Sequence, residues 1–159
     1  MQGYVDVYQR SAARVLRKMV NLEVRLAKIV RVTEKKTADA VSALVGLSGD
    51  LPGSLALVMS RGMAAKVAEH VLREPIESPD NQRIFPVILE LASIIAGNAN
   101  GLMLKRGIHQ EHTPPTIIEG SQFFIGFVGN TQTYMAPLLS DEGTCAVIVS
   151  LPSDGRVFG

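Results

Sequence analysis

Residues 84–97 constrain this chain more than any other stretch. Ile84, Phe85, Val87, Ile88, Leu89, Leu91, Ala92, Ile94, Ile95 and Ala96 form an almost unbroken apolar run, and its only charged residue is Glu90. The pattern predicts a helix over about 83–105 that is apolar around most of its circumference and therefore buried in a core. The run is too short, and too polar at its centre, to suggest a bilayer span. At about 100° per residue, Glu90, Ser93, Gly97, Asn100 and Gly101 share one face, with Arg83 and Pro86 joining it at the start. A solvated helix edge usually carries several Lys, Glu and Gln. This edge carries small residues around one carboxylate, which leaves a shallow groove open to close approach. The plainer reading makes the strip the solvated edge of a core helix, with Glu90 inert.

The remaining pattern supplies what must cover such a helix. Val5, Tyr8, Ala12, Val15, Leu16 and Met19 recur at helical spacing and predict a first helix over about 4–20. Residues 22–32 alternate apolar and polar, which predicts a half-buried strand with a charged outer face. Strands follow at about 40–48 and 53–60, joined by a Gly- and Pro-rich turn. A helix is expected at 61–73, with Ala64, Val67, Ala68, Val71 and Leu72 inward. Strands at about 115–119, 122–129, 132–139 and 144–151 come after the long helix. The order α-β-β-β-α-α-β-β-β-β predicts the α+β class: one domain over 1–159, a mainly antiparallel sheet of six to seven strands, and three helices packed on it. A weak internal echo at an offset of 80 residues matches Gly46, Gly49, Ala56 and Ser60 with Gly126, Gly129, Ala136 and Ser140. It raises the reading of pseudo-duplicated halves, 1–80 and 81–159, with Arg10 and Ala13 standing where Glu90 and Ser93 stand.

Composition narrows the function classes. The 159 residues are 47% hydrophobic and carry a formal net charge of +1, which excludes a disordered chain and gives no general electrostatic reason to bind nucleic acid or membrane. The neutral total hides a split, because residues 1–36 hold nine basic and three acidic side chains. That is read as a solvated face or as a patch for an acidic partner. Cys145 is the single cysteine, so neither an intrachain disulfide framework nor a multi-cysteine zinc site is available, and it reads as a buried small hydrophobe. No basic, apolar leader is apparent at the N-terminus, and the expected location is the cytoplasm. His109 and His112 stand in a breaker-rich segment before Pro114 and Pro115 and read as loop surface. No metal or cofactor site is expected.

The segment Glu90-Leu-Ala-Ser-Ile-Ile-Ala-Gly-Asn-Ala-Asn100 resembles the active-site helix of the CheC/CheX/FliY phosphatases of bacterial chemotaxis, most closely the CheX branch. Leu47-Ser-Gly-Asp-Leu-Pro-Gly-Ser-Leu-Ala-Leu57 is similar to that family's Gly-rich hairpin. Thr113-Pro-Pro-Thr-Ile-Ile-Glu-Gly120 is similar to its Pro-containing strand entry. The resemblance implies a phosphatase for the phospho-aspartate of CheY-like receiver domains. Glu90 would dock on the receiver's lysine, and the residue one turn later would hold a water in line with phosphorus. Arg83, Pro86, Gly97 and Asn100 would line the partner-binding face, and Mg²⁺ would belong to the receiver. The family places Asn where this chain has Ser93, and a small polar residue where it has Pro86. A serine hydroxyl both donates and accepts, but it is shorter than a carboxamide. Two readings therefore stand: a phosphatase, or a non-catalytic module that binds or sequesters the phosphorylated receiver. A structural rotor or scaffold role resembling the flagellar branch is a third. The resemblance also implies a homodimer through sheet edges, with the apolar strand at 123–128 hazardous as a free edge.

Overall fold

The computed structural model describes residues 2–32, 40–120 and 131–153. The first amphipathic stretch forms α1 (Gln2–Met19), with Val5, Tyr8, Ala12, Val15 and Leu16 buried and Met19 exposed at its end. Two short strands follow, β1 (Arg25–Leu26) and β2 (Val30–Arg31), then the long hairpin of β3 (Ala40–Gly49) and β4 (Gly53–Ser60). Next come α2 (Arg61–Leu72) and α3 (Ile84–Leu104). The chain continues with β5 (Gln110–His112), β6 (Thr116–Gly120), β7 (Thr131–Ser140) and β8 (Gly143–Pro152). Among the described residues eight strands join one antiparallel sheet in the order β1-β7-β8-β4-β3-β5, with β2 also on β7 and β6 also on β3. The expected α+β architecture and element order stand, with the first expected strand split in two. The strand expected at 122–129 lies outside the described residues.

Alternation along the strands sends one set of side chains into the core. Val41, Ala43, Val45 and Leu47 of β3, Leu55, Leu57 and Met59 of β4, Tyr134, Ala136 and Leu138 of β7, and Cys145, Val147, Val149 and Leu151 of β8 all join the helices' apolar faces. Burial pushes the Cys145 thiol up to about 12, so it is a protonated core group at physiological pH. The long helix α3 is, by length and composition alone, apolar enough to cross a membrane. In this fold Ile84, Val87, Ile88, Leu91, Ala92, Ile95, Ala96, Ala99 and Met103 are buried. α1 packs beside it in the opposite direction, since the Arg106 guanidinium just past α3 donates to the Gly3 carbonyl at the start of α1 (3.3 Å). Val71, expected inward on α2, is 40% exposed near the helix's end.

Residues 22–32 do not form the continuous half-buried strand that their alternation predicts. Leu22 and Val24 are buried, but Leu26, Val30 and Val32 are each more than a third exposed. The cause lies in the neighbouring strand. Leu26 pairs with Leu138 and Val30 with Met135, so three residues oppose two across Pro137. Proline has no N–H to return to this edge, and the ladder bulges there. The Gln9 side chain, only 3% exposed, replaces the missing donor: its Nε2 donates to the carbonyls of Ala27 (2.8 Å) and Pro137 (2.9 Å).

The strand pairing also has a repeating pattern. α1 is followed by edge strands that pair with β7 of the hairpin β7–β8. α3 is followed by edge strands that pair with β3 of the hairpin β3–β4. In this pattern β3 corresponds to β7 and β4 to β8. The offset of 80 residues instead lays β4 on β7, which occupy different places in the sheet.

Gln9→Glu keeps the shape of the side chain and removes both donors. It is expected to lower the unfolding free energy by about 1–3 kcal/mol at neutral pH, measured by urea denaturation. An unchanged midpoint would show that the bulge holds without Gln9.

Candidate functional site

The exposed positions of α3 are Pro86, Glu90, Gly97, Gly101 and Leu104, with Ser93 and Asn100 partly exposed and Arg83 exposed at the N-cap. The strip read from the sequence is therefore the surface that the core leaves uncovered. Glu90 and Ser93, three residues apart, are neighbours about 5–6 Å apart at Cβ. Pro86 sits in the first turn, where an N–H has no acceptor within the helix, so it does not break α3. The turn ahead of it holds the entry: Ile84 and Phe85 donate to the carbonyls of Asn81 (3.1 Å) and Gln82 (3.3 Å). Arg83 is ion-paired with Glu74 from the loop before α3, so its charge is partly spent within the chain.

Asn100 does not stand free on the strip. Its Nδ2 lies 2.8 Å from Nδ1 of His112 on β5. This residue was missed in the sequence, where His109 and His112 read as loop surface. Residues 110–112 are in fact a strand, with His112 opposite the buried Leu47. The register points Gln110 and His112 toward the helices and Glu111 away. Gln110 accepts from the Tyr8 hydroxyl of α1 (2.7 Å) and donates to the Leu51 carbonyl (2.7 Å). Burial raises the Tyr8 hydroxyl pKa, only partly offset by that bond, so Tyr8 stays a neutral donor. A three-residue spacing puts two side chains on opposite faces of a strand, so His109 and His112 do not converge on a metal. Among the described residues no three His, Cys, Asp or Glu side chains form a metal-sized cluster.

The signal for His112 lay in its flanks. Thr113 grips Gly46, donating its N–H to the Gly46 carbonyl (2.9 Å) and accepting from the Gly46 N–H at Oγ1 (2.8 Å). His112 pairs with Leu47 and Thr116 with Leu44, so Thr113-Pro-Pro115 is a bulge between two strands. The turn chemistry of the two prolines masked a strand on each side.

The glycines of the strip are open. A Cβ at Gly101 meets nothing within 4 Å, and one at Gly97 meets only Cε1 of His112, at 3.8 Å. Folding of this chain does not require glycine at either place, although each weakens the helix.

An antiparallel sheet with three helices, one of which shows an acidic and small-residue strip, defines the class. The family model described as chemotaxis phosphatase CheX matches residues 41–139, and the chain belongs to this family. No curated protein sequence matches it. Among solved structures, a CheX from Desulfovibrio desulfuricans has 20% identity and a TM-score of 0.85, covering 94% of this chain and 99% of its own. A CheC-like superfamily protein from Shewanella has 22% identity and a TM-score of 0.84, covering 93% and 96%. A CheX from Borrelia burgdorferi, solved in complex with CheY, BeF3 and Mg²⁺, has 26% identity and a TM-score of 0.77, covering 94% and 97%.

Gly97→Ala and Gly101→Ala are each expected to raise the unfolding free energy by about 0.5–1 kcal/mol in the isolated protein, read from urea denaturation. A destabilised variant would mean that the groove is filled in the folded chain.

Proposed function

We propose that this protein docks a phosphorylated CheY-like receiver on the exposed strip of α3 and hydrolyses its aspartyl phosphate. One observation carries the reading: in a CheX-family chain, the strip presents Glu90 and Ser93 one turn apart, with no bulk on the glycines beyond them. Glu90 forms a charged hydrogen bond with a receiver lysine. The Ser93 hydroxyl accepts from a water and holds it in line with the phosphorus. The water's oxygen bonds to phosphorus as the bond to the aspartyl oxygen breaks. Inorganic phosphate leaves, the aspartate is restored as carboxylate, and the water's proton goes to solvent. Mg²⁺ belongs to the receiver and balances the phosphoryl charge. Positioning and charge are most of what a protein contributes to such a transfer. The reading places the protein in the cytoplasm as a homodimer joined through sheet edges.

The serine favours a second reading. Its hydroxyl ends short of the place a carboxamide reaches, and a displacement of about 1 Å lowers a rate by about 100-fold. In that reading the protein binds the phosphorylated receiver and hydrolyses it little. The face and the partner are the same in both.

The experiment mixes the protein with an acyl-phosphorylated CheY-like receiver and follows phosphate release and complex formation together. Glu90→Ala is expected to weaken the complex by about tenfold or more, the loss of one charged hydrogen bond. Ser93→Asn is expected to raise phosphate release by up to about 100-fold. Binding without release selects the second reading, and the absence of both sinks the two together. If Ser93→Asn leaves release at the receiver's own rate, Ser93 is not the water-positioning place.

A further inference from the structure

His112 is a polar group beside this face that the helix itself does not supply. It arrives from β5, where its register with the buried Leu47 turns it toward α3. Its Nδ1 is taken by Asn100, 2.8 Å away. With the amide nitrogen donating, Nδ1 accepts, and Nε2 is the ring nitrogen left for a partner. Cε1, the atom between the two nitrogens, lies 3.8 Å from the point where a side chain at Gly97 would begin. The Cε1 edge of the imidazole therefore borders the gap left by Gly97, one helical turn beyond Ser93. Asn100 contributes little to the face directly, because its Oδ1 is buried and has no partner among the described residues. Its role is to fix the imidazole. The grip of Thr113 on Gly46 fixes the strand end from the other side.

We propose that His112 is a partner-contacting residue of the α3 face, its Nε2–H donating to an acceptor oxygen on the docked receiver about one turn away from the phosphoryl group. Asn100 is a positioning residue that acts through it. The inference rests on the reading of α3 as the receiver-docking helix. His112 stands a turn away from Ser93, so it contributes to affinity and not to the chemical step. It also gives the groove a use: Gly97 keeps the space in which the partner's acceptor reaches the imidazole.

The test uses the full chain and a CheY-like receiver of the same organism loaded with beryllofluoride and Mg²⁺. Affinity is measured by calorimetry for the wild type, Glu90→Ala, His112→Leu and His112→Gln, with the Tm of each variant recorded. His112→Leu is expected to weaken binding about five- to tenfold, the loss of one hydrogen bond. His112→Gln, which keeps a donor, is expected to stay within about threefold of wild type. With the acyl-phosphorylated receiver, His112→Leu raises KM and leaves kcat unchanged. Asn100→Ala weakens binding in the wild type and adds nothing in the His112→Leu background. Wild-type affinity in His112→Leu beside a weakened Glu90→Ala overturns the role of His112 and leaves the docking reading standing. Wild-type affinity in both variants overturns the docking reading as well. Equal losses in His112→Leu and His112→Gln, with a matching fall in Tm, overturn the contact in favour of a purely structural residue.

Discussion

Covering α3 is the constraint on which the rest of this structure depends. A helix this apolar must be surrounded, and each neighbour answers to it. The inward faces of the sheet lie beneath it, α1 runs beside it in the opposite direction, and α2 packs against it. What remains outside is a strip too narrow to carry an ordinary solvated face. Among the described residues, the open surroundings of Gly97 and Gly101 show no packing reason for glycine. The same burial that stabilises the domain therefore defines the side of α3 that stays exposed among the described residues.

Two proline interruptions shape the ends of the sheet, one mended by a side chain from α1 and the other by the residue just before the prolines. At Pro137 the edge strand bulges and Gln9 of α1 supplies the missing donors. At Pro114 and Pro115 the other edge bulges and Thr113 closes onto Gly46. A bulge re-aims the residues beside it. On the first edge this leaves Leu26, Val30 and Val32 partly in solvent. On the second it leaves the short strand whose inward residues, Gln110 and His112, tie α1 and α3 to the sheet. Edge strands that look irregular in pairing thus connect the core to the face of α3.

In this CheX-family chain the strip sets the Glu90 carboxylate and the Ser93 hydroxyl one turn apart. The Ser93 hydroxyl has a shorter reach than a carboxamide at the same place would have. Pro86 is accepted because it falls where the helix needs no donor. Neither residue disturbs the fold, and both bear on what the strip presents.

Much of the architecture was legible from local pattern. Helical spacing marked α1, α2 and α3, alternation marked β3, β4, β7 and β8, and one face of α3 stood out by its small residues around Glu90, because each of these depends only on period and burial. The errors came where a distant residue decided the outcome. Residues 22–32 alternate as a strand should, but Pro137, more than a hundred positions away, breaks their ladder. His109 and His112 sit among turn formers, and only pairing with β3 makes 110–112 a strand. The sequence by itself determined which helix is buried and which of its sides is left over, since amphipathic period is a local property. Only the tertiary structure decided that Asn100 turns to His112 and that a strand end reaches the strip, because strand register is set by hydrogen bonds between residues far apart in the chain.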